Sequence, residues 1–147
     1  MRKLWALLFV IPALGLAACS SDKADETSEM KEPAAITEQS LAGTWVLTGA
    51  AGPDGVVENL PAGELTVEDG RLGFSAGCNE IGADVTVVDG QITTDKGVTT
   101  AMLCEGDLGV VDDIASQTLG DVQSATLTAE GELTLVGPGG SLTFQRK

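Results

Sequence analysis

Two Asp-Gly pairs set most of the limits on what this chain can become. Asp69-Gly70 separates Leu65-Thr66-Val67-Glu68 from Arg71-Leu72-Gly73-Phe74, and Asp89-Gly90 separates Val85-Thr86-Val87-Val88 from Gln91-Ile92-Thr93. A pair of this kind between two alternating stretches is the chemistry of a tight hairpin, because both central residues of the favoured turn need positive φ. Period-two alternation continues in Ala125–Thr128 and Leu133–Val136 on either side of Glu130-Gly131, and in Ser141–Gln145 after Gly139-Gly140. With Thr44–Leu47 in front, the pattern predicts about eight short antiparallel strands, which must close or pack as a sandwich to hide their edges.

One stretch follows a different period. Leu108, Val111, Ile114, Ala115 and Leu119 recur at helical spacing between Asp107, an expected N-cap, and Gly120, an expected stop. This predicts a single amphipathic helix. Asp112 and Asp113 fall in its first turns, where negative charge complements the helix dipole, and they are read as a solvated helix start. No internal repeat is visible, and residues 41–147 have the length of one domain. The fold class expected is mostly β (α+β), a small antiparallel barrel-like domain with one α-helix.

The front of the chain is of another kind. Arg2 and Lys3 precede an apolar run from Leu4 to Ala18, which ends in Leu16-Ala17-Ala18-Cys19. That order is a lipoprotein export signal. The run holds 15 residues, short of the roughly 20 that a membrane-crossing helix needs. Small residues at 17 and 18 admit a peptidase, and Cys19 supplies the thiol that takes a diacylglyceryl group. Residues 1–18 are thus expected to be removed, with lipid on Cys19 as the anchor. Resemblance to lipoproteins at large implies that Ser20, which is not Asp, does not favour inner-membrane retention. From there to about residue 40, Ser, Asp, Glu, Lys, Thr and Pro33 mix without apolar periodicity, so 19–40 reads as a disordered acidic tether. The expected location is outside the cytoplasm, lipid-anchored to a cell or outer membrane.

Charge removes several functions. The net charge of −14 becomes −16 once Arg2 and Lys3 leave with the signal. A nucleic-acid binder must neutralise phosphates with cations, so nucleic acid is not an expected partner, and neither is an anionic lipid surface. The chain has no histidine, which excludes a Ser-His-Asp relay and a histidine-ligated zinc or haem. It contains no G-x-G-x-x-G, no P-loop and no EF-hand spacing, and although Gly73-Phe74-Ser75-Ala76-Gly77 has G-x-S-x-G spacing, no histidine is present to act as its base. No catalytic residue, metal or cofactor is therefore assigned. Beyond the signal the aromatic residues are Trp45, Phe74 and Phe144, all on expected strands, where core packing explains them.

With Cys19 lipidated, Cys78 and Cys104 remain in an oxidising compartment and read as a structural disulfide. A redox-active pair is the competing reading, but the two lack Cys-x-x-Cys spacing.

At Gly77-Cys78-Asn79 and at Thr100-Ala101-Met102-Leu103-Cys104 the chain resembles the META domain (HslJ-like) family. The resemblance covers most of residues 41–147 and includes Gly43-Thr44-Trp45 with Leu47, a following helix, and the closing Leu142-Thr143-Phe144-Gln145-Arg146. Leu103 departs from it, since a small residue usually precedes that cysteine. The resemblance implies a barrel-like fold with one helix, a Cys78–Cys104 bridge joining the two motif segments, and structural roles for Trp45, Gly77, Asn79, Thr100 and Met102. Asn79 would cap or turn the chain beside the bridge. The family's associations with heat shock and drug resistance are phenotypes and supply no reaction.

The function expected is a monomeric, non-enzymatic envelope module that meets an unknown envelope protein or wall component and supports stress tolerance. A carrier holding a small apolar molecule in the barrel interior is the alternative. A carboxylate-based hydrolase comes third.

Overall fold

The computed structural model describes residues 31–95 and 97–147. The signal at 1–18, the lipidation site Cys19 and the tether up to residue 30 lie outside the described residues. A short helix α1 (Glu38–Leu41) precedes strands β1 (Gly43–Gly52), β2 (Gly55–Val56), β3 (Glu64–Glu68), β4 (Arg71–Ser75), β5 (Glu80–Val88), β6 (Gln91–Thr94) and β7 (Val98–Thr99). Helix α2 (Gly106–Leu119) follows, and β8 (Ser124–Leu127), β9 (Glu132–Gly137) and β10 (Gly140–Arg146) complete the chain.

The Asp-Gly turns are the hairpins that the residues require. Asp69 and Asp89 take φ of 50° and 51°, followed by Gly70 at 73° and Gly90 at 77°. Two successive positive φ values give the hairpin turn whose twist matches that of the strands it joins. The strands run in the order β6-β5-β4-β3-β1-β10-β9-β8, with β2 paired to β1 and β7 to β5, every pairing antiparallel. The result is a nearly closed eight-strand barrel.

Its interior rows follow from the register. Trp45 pairs with Leu65, Leu65 with Phe74, and Phe74 with Ile81; on the other side Leu47 pairs with Phe144 and Phe144 with Leu133. All of these are buried. Phe74 and Phe144 meet edge to face at 5.9 Å, the arrangement that the ring quadrupoles favour. β1 serves both halves of the barrel because its register to β10 slips between Leu47 and Gly49. The bulge changes the alternation so that Trp45, Leu47 and Ala50 all face inward.

Both ends are stoppered. α2 crosses the end where β9 turns into β10, and it sits against bare backbone: a Cβ on Gly139 would meet the Ile114 carbonyl oxygen at 2.6 Å, and one on Gly137 would meet Thr118 Cα at 2.8 Å. At the opposite end Trp45 Nε1 donates to Leu41 O at 2.9 Å. The Arg146 guanidinium lies 4.1 Å from the Trp45 ring centroid and donates to the carbonyls of Ser40 and Ala42. Trp45, Phe144, Leu65, Leu133 and Leu142 are fully buried in the middle, where the carrier alternative would place its ligand.

One sequence expectation needs correction. The fold does not begin at Leu41, because residues from Glu32 onward are already tied to the barrel. Ala34 N donates to Leu127 O at 2.7 Å and Ala129 N to Glu32 O at 2.8 Å, with Pro33 bridged to Thr128. Ile36 is buried, and Thr37 caps α1 by a reciprocal pair of hydrogen bonds with Ser40. This strap lies over the gap between β8 and the β5–β6 turn. Polar composition hid it, since a single Ile gives no periodicity. Ile36→Ala should therefore destabilise the protein by about 2 kcal/mol, at the low end for a buried Ile because the site is peripheral. Urea unfolding will show this as a lower midpoint with unchanged slope, whereas a free tether would give no shift.

Candidate functional site

The two motif segments form one knot. The turn from β4 to β5 needs a left-handed residue, and Gly77 supplies it at φ 100° while its N–H donates to Ser75 Oγ at 3.2 Å. Cys78 is then placed for a disulfide to Cys104, with Cα atoms 6.2 Å apart. Asn79 follows, 4% exposed, and its amide works in both directions. Oδ1 accepts from Met102 N at 2.7 Å and from Thr100 Oγ1 at 2.9 Å. Nδ2 lies 3.0 Å from Met102 O and 2.7 Å from Asp112 Oδ2. Thr100 closes the circuit, because its hydroxyl also accepts from Glu80 N at 2.9 Å. Asn79 therefore gives residues 100–102 the hydrogen bonds that a neighbouring strand would otherwise provide.

Asp112 is the residue that sequence reasoning placed wrongly. It is not part of a solvated helix start: it is 6% exposed, and its Oδ1 has no hydrogen-bond partner among the described residues. A signal was present, since Leu108, Asp112, Ala115 and Leu119 follow one another at i, i+4, i+7 and i+11, which puts Asp112 on the inward stripe. Asp113, beside it, is exposed. The helix N-cap is Glu105 instead of Asp107, and no side chain caps it. The disulfide at Cys104 holds the chain immediately before that position.

Around this knot the surface is unusually apolar. Leu103 is 94% exposed, Met102 64% and Val110 49%. Together with Cys104, Gly106, Gly109, Asp112 and Asp113 they line a depression of about 330 Å³. Met102 is thus divided in function, with its backbone locked to Asn79 and its side chain in solvent.

A second feature adjoins the first through Thr100 and Glu80. On the outer face of β3, β4, β5 and β7 lies a groove of about 530 Å³ whose lining includes Glu64, Thr66, Ser75, Glu80, Val98 and Thr100. Its floor exists because Gly73 and Gly82 are directly paired across β4 and β5 and carry no side chains. Lys147 Nζ holds Glu64 at 2.9 Å. Ser75 Oγ is occupied by Gly77 N–H, and among the described residues no hydrogen bond links it to Glu64 or Glu80. Among the described residues no group of three or more His, Cys, Asp or Glu side chains could hold a metal ion. Neither the paired glycines nor the groove was foreseen, because cross-strand register is needed to bring them together.

Two outcomes test the knot. Asn79→Ala should cost about 2–4 kcal/mol by thermal or urea unfolding, since it leaves Met102 N and O and the Asp112 carboxylate unpaired. Asn79→Asp should not rescue it, because a second carboxylate would face Asp112. Reduction of the disulfide should cost roughly 3.5 kcal/mol on the chain-entropy account. Peptide mapping without reductant should find neither Cys78 nor Cys104 alkylated.

The META domain family model matches residues 38–147. No curated protein matches this chain. Among solved structures it is similar to the NMR structure of a protein from Burkholderia xenovorans, at 18% identity and a TM-score of 0.61, covering 93% of this chain and 99% of that one. That likeness is one of fold. With the family match spanning most of its length, from α1 through β10, the chain belongs to the META domain family.

Proposed function

We propose that this protein is a non-enzymatic binding module, exported and held at a membrane by lipid on Cys19, that offers the outer face of β3, β4, β5 and β7 to an envelope protein or wall component in a stress-tolerance role. Membership of the META domain family, a barrel interior packed with large apolar side chains, and the lack among the described residues of a hydrogen bond from Ser75 to Glu64 or Glu80 support the reading. The observation that carries it is the Gly73–Gly82 pair. Glycine within a strand costs stability relative to a residue with a side chain, so it ordinarily answers a need for positive φ or close backbone approach. At Gly82 the φ is not positive, and although the Gly97 backbone packs closely on its carbonyl, a Cβ on Gly82 itself would find its nearest neighbours, Leu72 O and a Val98 methyl, at 3.7 and 4.0 Å. Folding alone would favour a β-branched residue at this position. What the glycine preserves is the open floor of the groove.

Gly82→Val fills that floor and should leave the melting temperature unchanged or slightly raised. Its binding to isolated wall sacculi and to solubilised envelope proteins should fall at least tenfold against the unaltered protein. Retention of full binding to both would sink the reading. So would turnover of sacculi by the purified protein that a point change in the groove abolishes.

A further inference from the structure

The apolar residues beside the knot serve no purpose in folding. Leu103 and Met102 touch solvent over most of their surface while the core is complete without them. An exposed Leu on a mobile loop is ordinary, but this one is held from both sides. Met102 is fixed by two backbone hydrogen bonds to Asn79, at 2.7 and 3.0 Å, and Cys104 is fixed by the disulfide. Leu103 therefore stands outward as a preorganised knob, and a partner that covers it loses little further conformational freedom.

The surroundings state what kind of partner that is. Exposed Asp113 and buried Asp112 lie in the lining of the depression, Asp112 with one carboxylate oxygen that has no partner among the described residues, and exposed Glu105 and Asp107 flank Gly106 of that lining. Among the described residues no lysine or arginine lines it. A second copy of this chain would bring a net charge of −14 against the same charge, and an anionic lipid surface would be repelled likewise. Position agrees with charge. The knot sits at the Glu80 end of β5, whereas the strap toward the N-terminus leaves at the Val88 end, roughly 27 Å away along a nine-residue strand. The knob thus faces away from the side on which a lipidated Cys19 would tether the domain.

We propose that Met102, Leu103 and Val110, with the acidic rim of Glu105, Asp107 and Asp113, dock a protein segment that carries apolar side chains flanked by lysine or arginine. The proposal rests on the reading of this domain as a binding module but uses a surface separate from the glycine-floored groove. The apolar knob supplies the buried centre of the contact, and the carboxylates steer and orient the cationic flanks.

The full chain, titrated with a synthetic peptide of alternating lysine and leucine, should bind with shifts of the Met102 and Leu103 methyl signals. Affinity should fall about tenfold for Leu103→Ser, as expected for removing one buried Leu side chain from the contact. It should weaken with added salt, and analogues with leucine replaced by serine or lysine by glutamate should bind far less. Leu103→Ser removes no buried contact, so its melting temperature serves as the control for folding. Equal affinity of Leu103→Ser, tighter binding of the glutamate analogue, or equal methyl shifts with zwitterionic lipid vesicles would overturn the proposal. Gly82→Val should keep full peptide affinity while losing the wall or envelope partner. If Leu103→Ser fails but Gly82→Val still abolishes binding to its partner, the knob alone is rejected; if both fail, so does the binding-module reading.

Discussion

An antiparallel sheet that curls without closing leaves two edges, and the rest of this molecule is arranged around that gap. The edge strands are β6 and β8, and among the described residues no ladder joins them. Unpaired backbone at such a seam is either left to water or covered by something else. Here three different devices share the work. The strap at residues 32–36 covers one end, bonded to β8 on one side and reaching the β5–β6 turn with Ile36. In the middle, Val122 N donates to Thr94 Oγ1 at 3.1 Å. At the other end β6 has already stopped, so β5 pairs with β7, and the chain then crosses toward α2 through residues 100–104.

That crossing explains why the motif residues are what they are. Residues 100–104 have no strand beside them beyond β5, yet they must be fixed for α2 to seat on the barrel end. A single asparagine can offer two donors and an acceptor from a fixed position, which is what an isolated loop needs. Cys78 and Thr100, next to Asn79 in sequence or space, add a covalent link and a hydroxyl that both gives and receives. Replacing hydrogen bonds of a ladder with side-chain bonds demands specific residue types, whereas the ladder itself accepts almost any. This is the physical reason that a motif sits here, and it is a structural one.

Much of the fold was legible for the same reason in reverse. The Asp-Gly turns and the alternation around them depend on local φ preferences and on burial of one face, and both are written in adjacent residues. So the main hairpins and α2 stand where the pattern puts them. What was not legible depends on partners far along the chain. Asp112 and Asp113 are identical neighbours; helical phase turns Asp112 inward, but the partner that pairs its carboxylate, Asn79, lies 33 positions away. The strap looks polar because Glu32 and Ala34 act through backbone bonds to Ala129 and Leu127, which no side chain announces. The two groove glycines are nine residues apart and meaningless until β4 and β5 are placed in register.

The division between what folds the domain and what it displays follows from these bonds. Asn79 spends its amide on the loop backbone, and the disulfide spends both cysteines, so the side chains at 102 and 103 remain free of structural duty. Rigidity and exposure are usually in conflict, because an exposed segment has few contacts to hold it. Here the contacts are made by the backbone and by a flanking residue, and the apolar groups point the other way. A surface built in this manner keeps its shape without hiding its chemistry. Glycine does the equivalent on the sheet, where pairing holds the backbone and the missing side chains leave the space open. In both places the fold is stable through main-chain bonds, which leaves the outward side chains, or their absence, without a structural duty.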